Sequence, residues 1–174
     1  MSIKCRLLAI FLVVLVLWIS VRGQFNETQT PPFDLPILMQ QAGMKVQTDF
    51  HIVEDREYIF SLVFRFNKDD PADRARVKKL VGEDGQDKNG DPGVPTPLKI
   101  GVSSILADGE RPIFDTEFSE LRLRSWGGDF FSKHIANVAL SPGRYHLSAE
   151  NLKDVPELDG TPVFLRITYS TKTK

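Results

Sequence analysis

Residues 58–66, with the sequence Tyr-Ile-Phe-Ser-Leu-Val-Phe-Arg-Phe, decide how this chain folds. Every second side chain of this stretch is large and apolar, namely Tyr58, Phe60, Leu62, Phe64 and Phe66. Ser61 and Arg65 alternate with them. Because successive side chains of a β-strand point to opposite faces, this period of two predicts a strand with one apolar face. A face this large predicts a central position in a sheet.

Residues 44–52 show the same alternation before this strand. Their apolar side chains share one face, formed by Met44, Val46, Phe50 and Ile52. A polar turn at residues 54–56 separates the two stretches. The pattern predicts a second half-buried strand.

One short helix is predicted after the second strand. Asp70 is suited to capping a helix, and Pro71 suits the first helical position. Val77, Leu80 and Val81 recur at helical spacing before the chain reaches a glycine. The opposite face is basic and carries Arg74, Arg76, Lys78 and Lys79. We expect this face to be solvated, as charged faces of surface helices usually are.

Six further stretches with the character of strands follow the helix. They are residues 98–106, 113–118, 121–123, 135–140, 144–150 and 163–170. Turn sequences such as Asp108-Gly109 and Gly127-Gly128 separate them. Seven or eight short strands at this spacing predict a mainly β chain, folded as an antiparallel immunoglobulin-like sandwich with one short helix. Residues 140–145 also resemble the tyrosine-corner turn of such sandwiches, in which a tyrosine hydroxyl bonds to nearby backbone.

The first 23 residues have the pattern of a signal peptide. Two basic residues, Lys4 and Arg6, precede an apolar run over residues 7–19. The small residues near its end predict cleavage between Gly23 and Gln24. The domain is therefore expected to be periplasmic or secreted.

The alternative is an uncleaved inner-membrane anchor formed by residues 7–21. This charge-free stretch of 15 residues is shorter than the roughly 20 that span a bilayer, so cleavage is favoured. Membrane attachment is expected only through this segment. Residues 24–43 contain Pro31, Pro32 and Pro36, which disfavour strand pairing and indicate a lead-in arm. The β-sandwich domain is predicted to span residues 44–171.

Charge and cysteine content exclude several kinds of function. All 23 acidic side chains, but only 19 of the 22 basic ones, lie beyond Gly23. Nucleic-acid binding needs a basic surface, so no nucleic-acid partner is expected. Cys5 is the only cysteine and lies in the predicted leader. The domain therefore has neither a disulfide nor a thiolate metal site, and no cofactor is predicted.

Patterns of nucleophilic catalysis and of zinc binding are weak in this sequence. Ser103 and Ser104 lie in a predicted strand without the flanking glycines of a hydrolase nucleophile elbow. The three histidines are His51, His134 and His146, and they lie on different predicted strands without zinc-ligand spacing. No catalytic residue is predicted from these positions.

An acidic loop is a candidate for calcium binding. Its oxygen-bearing side chains are Asp84, Asp87, Asn89 and Asp91. Counted from Asp87, the glycine comes at the fourth position instead of the sixth, and the twelfth position is Leu98, which cannot supply a carboxylate. A solvated turn-rich loop is the favoured interpretation, and calcium binding is the alternative.

Two other groups of residues suggest a site. An aromatic loop contains Trp126, Phe130 and Phe131 beside two glycines, and could anchor a partner or stack on a sugar. Packing at a sandwich end is the other interpretation. Four carboxylates could converge across strands as the acid and base of a glycan hydrolase: Glu117, Glu120, Asp129 and Glu150.

Four segments together resemble a bacterial family catalogued as domain of unknown function 5625. They are residues 32–36, 58–66, 70–77 and 90–95. The resemblance covers most of the chain beyond the leader and implies a Gram-negative envelope protein with a β-sandwich fold. Several such proteins look like lipoproteins, but no cysteine follows the apolar run here. The resemblance implies no activity and no site residues.

These observations favour a non-enzymatic binding protein of the bacterial cell envelope. Its expected partner is another protein, and an immunity-type role is one case. The alternatives are an envelope glycan hydrolase that uses convergent carboxylates, and a small-ligand or calcium-binding module on the acidic loop.

Overall fold

Two antiparallel sheets build the chain in a computed structural model that describes residues 28–84 and 90–170. The strands are β1 (Phe33–Pro36), β2 (Lys45–Ile52), β3 (Arg56–Arg65), β4 (Leu98–Leu106), β5 (Gly109–Phe118), β6 (Leu123–Trp126), β7 (Phe130–Leu140), β8 (Gly143–Asn151) and β9 (Val163–Tyr169). One sheet has the order β1-β9-β3-β7-β6, and the other β2-β8-β4-β5. The predicted antiparallel sandwich is confirmed, with nine strands in these residues instead of seven or eight.

The predicted central strand is the middle strand of the five-stranded sheet. β3 pairs with β7 on one side and β9 on the other. Tyr58, Phe60 and Phe64 are fully buried or nearly so, and they belong to one core cluster with residues of both sheets. Burying each such side chain contributes about 1.5 to 3 kcal/mol. The alternation over residues 58–66 therefore sets which side of this sheet faces the core.

The segment predicted as a lead-in arm contains a strand that was not predicted, β1. β1 pairs with β9, and Leu35 and Met39 are buried in the core. The expectation that residues 24–43 avoid strand pairing is wrong at β1. Proline is tolerated there because β1 is an edge strand and Pro36 lies at its end, where a missing N–H removes no interior hydrogen bond.

Several predictions about the N-terminus fall outside the described residues. These are the signal peptide over residues 1–23, the cleavage between Gly23 and Gln24, and the alternative anchor over residues 7–21. In residues 28–84 and 90–170, no helix has the length and apolar character needed to cross a membrane.

The predicted helix, α1 (Pro71–Val81), connects the two sheets between β3 and β4. The Asp70 carboxylate accepts hydrogen bonds from the first turn, 2.9 Å from Ala72 N and 3.2 Å from Asp73 N. Val77 and Val81 are buried, as the spacing predicts. The basic face is only partly solvated, because Lys78 is half-buried and donates to the Gly82 carbonyl.

The end of α1 requires glycine. Gly82 has a φ of +82°, in the left-handed region, and a Cβ there would lie 2.3 Å from the Gly93 nitrogen. The two backbones therefore pack directly against each other. This contact joins the helix end to the second half of the acidic loop.

The tyrosine-corner prediction is confirmed. The Tyr145 hydroxyl donates a hydrogen bond of 2.7 Å to the Ser141 carbonyl, four residues earlier. A second corner has the same spacing, because the Tyr58 hydroxyl donates to the Glu54 carbonyl at 3.0 Å. Each hydroxyl ties a turn at the end of the sandwich to the strand that follows it.

We expect Tyr145→Phe to lower the free energy of unfolding by about 1 kcal/mol, because the Ser141 carbonyl loses its partner while the ring stays in place. Urea denaturation measures the change. Tyr169→Phe is the matched control, since the Tyr169 hydroxyl bonds to no described residue. Equal losses of stability in the two variants would contradict this role for the corner.

Candidate functional site: a groove on the five-stranded sheet

A groove of about 1030 Å³ lies on the outer face of the five-stranded sheet. Its floor consists of side chains of β3, β7 and β9 that alternate with core residues along each strand. Phe118 at the end of β5 and residues 120–125, which lead into β6, line it as well. Because β3 is paired on both sides, the floor of the groove is rigid backbone.

One row of side chains crosses the groove floor from strand to strand. The strand registers place Asp34 opposite Arg166, Arg166 opposite Ser61, and Ser61 opposite His134. The His134 backbone N–H then donates to the Arg122 carbonyl at 3.1 Å. Cross-strand pairs share one face of a sheet, so the row spans the whole width of the groove.

A network of ion pairs holds the β1 end of this row. The Asp34 carboxylate accepts hydrogen bonds from Arg166, at 2.6 Å and 2.8 Å, and from Arg65 at 3.0 Å. Arg65 also pairs with Asp129. Hydrogen bonding from Arg166, followed by its charge and by Arg65, lowers the pKa of Asp34 below its ordinary value. The Arg166 guanidinium stacks 4.6 Å from the Phe130 ring centroid, so this end of the groove is preformed.

We expect Asp34→Asn to lower the free energy of unfolding by about 1 to 2 kcal/mol at pH 7, because Arg166 loses its carboxylate and Arg65 keeps only Asp129. The lowered pKa makes this contribution present above pH 3.8, and it disappears as the pH falls through the native pKa. Denaturation at several pH values measures it. Asp115→Asn, at an exposed aspartate 3.9 Å from Lys99, is the control and should change little. A Asp34→Asn variant as stable as the control variant would contradict this role.

Donor groups without partners gather at the other end of the row. His134 is half-buried and lines the groove with Arg124, and neither side chain hydrogen-bonds to another described residue. Burial, reinforced by the charge of Arg124, lowers the pKa of His134 below its ordinary value. The imidazole is therefore neutral at pH 7. Arg122, in contrast, pairs with Glu120 at 2.7 Å.

The structure separates the members of the predicted aromatic loop. Phe130 lines the groove, whereas Phe131 is buried in the core with its ring centroid 5.0 Å from that of Phe66. Trp126 is 58% exposed but pairs with Phe131, on the opposite side of β6 from the groove. The prediction of one interaction loop is wrong for Phe131, because strand alternation turns neighbouring aromatic residues to opposite faces.

Each of the four predicted carboxylates has a basic partner. Glu150 and Glu117 flank Lys99 in a row on the outer face of the four-stranded sheet, and the row begins at Lys45. Two strand spacings put these glutamates about 10 Å apart. Each has a lysine partner, at 3.0 Å for Glu150 and 3.5 Å for Glu117. The other two have arginine partners: Glu120 pairs with Arg122 and Asp129 with Arg65.

Most of the remaining candidates for catalysis or zinc binding lie on the four-stranded sheet, where Ser103 is opposite His146 in the strand register. His51 and His146 lie on the four-stranded sheet, and His146 Nδ1 is 2.8 Å from the Asp49 carboxylate. Ser103 donates to Glu110 at 2.6 Å, and Ser104 donates to a backbone carbonyl. Over residues 28–84 and 90–170, no three His, Cys, Asp or Glu side chains are grouped so that they could hold a metal ion.

The described part of the acidic loop is bound to the sandwich by its backbone. Asp84 forms a β-bridge with Leu123, and the Asp91 carboxylate accepts a hydrogen bond of 2.8 Å from the Gly93 N–H. Asp91 thus stabilises its own turn. Asp87 and Asn89, the other two predicted calcium ligands, lie outside the described residues.

A buried lysine beneath this loop was not predicted. Lys133 has no exposed surface, and its ammonium donates to the carbonyls of Pro92 at 3.1 Å and Val94 at 3.0 Å. Burial lowers its pKa to about 8. Phe131, Lys133 and Ile135 are all buried on β7. In the sequence, Lys133 occupies one position in the alternation of core residues along this strand. Its burial was not predicted because the strand was predicted to begin only at Ile135.

We expect the unfolding free energy to rise by about 1 to 2 kcal/mol between pH 8 and 9.5 because of Lys133. Its pKa is lower in the native state than in the unfolded chain, so the unfolded chain binds more protons in this range. A rise in pH therefore destabilises the unfolded chain relative to the native state. Lys133→Met should remove this rise, whereas Lys153→Met, at an exposed lysine, should keep it. Denaturation across this pH range tests it, and an unchanged rise in Lys133→Met would contradict the assignment.

Comparison with known proteins now places this chain in a family. A family model described as "Domain of unknown function (DUF5625)" matches residues 34–169. The chain belongs to this family. The match begins at Asp34 in β1 and ends at Tyr169 in β9, so it covers the whole sandwich and confirms the resemblance found in the sequence.

A solved structure of a protein from Sulfurospirillum deleyianum is similar in fold to this member of the family. The two chains share 23% sequence identity with a TM-score of 0.69, over 81% of this chain and 98% of that chain. At this identity the likeness shows the fold alone. No curated protein matches the chain.

Proposed function

We propose that this member of the family is an exported, non-enzymatic binding protein of the bacterial cell envelope, and that its groove binds a segment of another protein. The observation that carries the proposal is the groove itself. Half-buried polar side chains and aromatic rings alternate there on a rigid strand floor. Binding sites are most precise when such rigid elements hold their side chains.

The size and lining of the groove favour a polypeptide segment as the ligand. Its volume of about 1030 Å³ reaches the upper end of the roughly 300 to 1,000 Å³ typical of small-molecule pockets. Ile59 and Phe130 offer half-buried apolar surface, while Ser61 and Thr168 offer hydroxyl groups between them. A peptide segment carries apolar and hydrogen-bonding groups side by side along its chain, so it can contact both kinds of lining residue.

Side-chain chemistry in the groove supports binding without turnover. Ser61 and His134 are cross-strand neighbours without a hydrogen bond between them, whereas an activated serine is hydrogen-bonded to its base. Asp34 is held ionised by two arginines and is therefore a poor proton donor. The predicted signal segment and the cysteine-free domain support export to the envelope.

Site-specific photo-crosslinking in producing cells tests the proposal. A photoreactive amino acid at Asn137, exposed at the groove, should give a discrete adduct with one protein. Ile59→Arg should abolish this adduct by filling the groove with a charged side chain. Ser148→Arg is the matched control, because Ser148 is half-buried on the outer face of a central strand in the other sheet.

Two results would contradict the proposed function. One is an adduct that persists in the Ile59→Arg variant at the level of the Ser148→Arg variant. The other is the absence of any adduct from the groove position. Thermal denaturation of both variants establishes that each is folded before its adducts are compared.

A further inference from the structure

The charged side chains that line the groove leave an excess of positive charge. Both carboxylates of the lining have arginine partners, Asp34 with Arg166 and Glu120 with Arg122. Arg124 has no carboxylate within ion-pair distance among the described residues. Within the part of the chain that the structure describes, the groove thus keeps an unpaired guanidinium, although acidic side chains are in excess beyond Gly23.

Other donors face the same part of the groove. His134 lies opposite Ser61 in the strand register, and both side chains line the groove without a hydrogen bond to a described residue. Ser132 and Ser125 form the next cross-strand pair and are also part of the lining. Several hydrogen-bond donors therefore line one region between β3, β7 and β6, together with a guanidinium that has no ion-pair partner among the described residues.

We propose, on the basis of the proposed function, that the segment bound in the groove presents a carboxylate, which is held between Arg124 and His134 with the Ser61 hydroxyl as a further donor. A guanidinium binds a carboxylate through paired N–H groups, and an imidazolium adds a second charged donor. The ligand is thus a peptide segment with an acidic side chain or a terminal carboxylate at this point.

The groups that surround His134 favour an anion there. Arg124 faces it from β6 and repels its protonated form, while Glu57 attracts that form from β3. Glu57 is exposed and already accepts a hydrogen bond of 2.9 Å from Asn137. Farther along the row, Asp34 is occupied by its arginines, so a ligand carboxylate meets no unpaired anion of the groove.

Carboxylate binding at this position is coupled to a proton. Free His134 is neutral at pH 7, because burial and Arg124 lower its pKa. A bound carboxylate stabilises the imidazolium and raises that pKa, so binding takes up a proton. Affinity therefore strengthens as the pH falls through the pKa of the bound state, and it levels off below the pKa of the free state.

Nuclear magnetic resonance of the folded domain with labelled histidine tests the inference. The probe is 3-phenylpropionate, which combines an aromatic ring with a carboxylate, and its neutral amide is the matched control. The carboxylate should shift the ring signals of His134 and raise its pKa, and the amide should do neither. The affinity for 3-phenylpropionate should be several-fold stronger at pH 6 than at pH 8.

Substitutions of charged residues test how much the charge of the groove contributes to binding. Arg124→Gln should weaken binding of 3-phenylpropionate about tenfold, and His134→Gln should remove the pH dependence. Arg144→Gln, which changes an exposed arginine on the other sheet, should leave both unchanged. Equal binding of the acid and the amide, no shift at His134, or an unaffected Arg124→Gln variant would each overturn the inference.

Crosslinking distinguishes failure of this inference from failure of the proposed function. An adduct that is lost in Ile59→Arg but kept in Arg124→Gln and His134→Gln overturns the carboxylate site and leaves the groove as a binding site. An adduct kept in all three variants overturns the proposed function. Loss of the adduct in all three, with Arg144→Gln unaffected, supports both.

Discussion

Burial of one face of β3 is the constraint on which the rest of the structure depends. Phe60, Leu62 and Phe64 have no exposed surface, and a shift of one residue would turn them all to solvent. Since β3 pairs on both sides, its register fixes the registers of β7 and β9. The outward side chains of these three strands are thereby brought side by side, so the groove is a consequence of the same packing that forms the core.

The two outer faces of the sandwich differ in how their charges are arranged. On the four-stranded sheet, Lys45, Glu150, Lys99 and Glu117 alternate in sign across all four strands. Opposite charges on neighbouring strands stabilise such a face modestly and keep it solvated. The five-stranded sheet has paired charges at one end of its row, and at the other end donors that have no partner among the described residues. This asymmetry is the reason that the proposed binding site is placed on the five-stranded sheet.

Lys133 connects the core to the loop beside the groove. Its ammonium holds the carbonyls of Pro92 and Val94, and its strand partner Leu123 lies in the groove lining. A buried cation is costly unless its donors are satisfied, so the loop backbone and the lysine stabilise each other. Pairing of Leu123 with Lys133 also places β6, which lines the groove, beside this loop.

The sequence by itself determined the fold class, the central strand, the helix and the tyrosine corner, because each depends on local periodicity or local hydrogen bonding. The two-residue period of residues 58–66 needs no knowledge of the partner strands, and neither does the bond from Tyr145 to Ser141. Only the tertiary structure decided the site. Asp34, Ser61 and His134 meet through registers between distant segments, and periodicity within a strand carries no information about register. The pairing of distant strands likewise placed the predicted carboxylates at two different sheets. Alternation within β7 alone turned Phe130 and Phe131 to opposite faces.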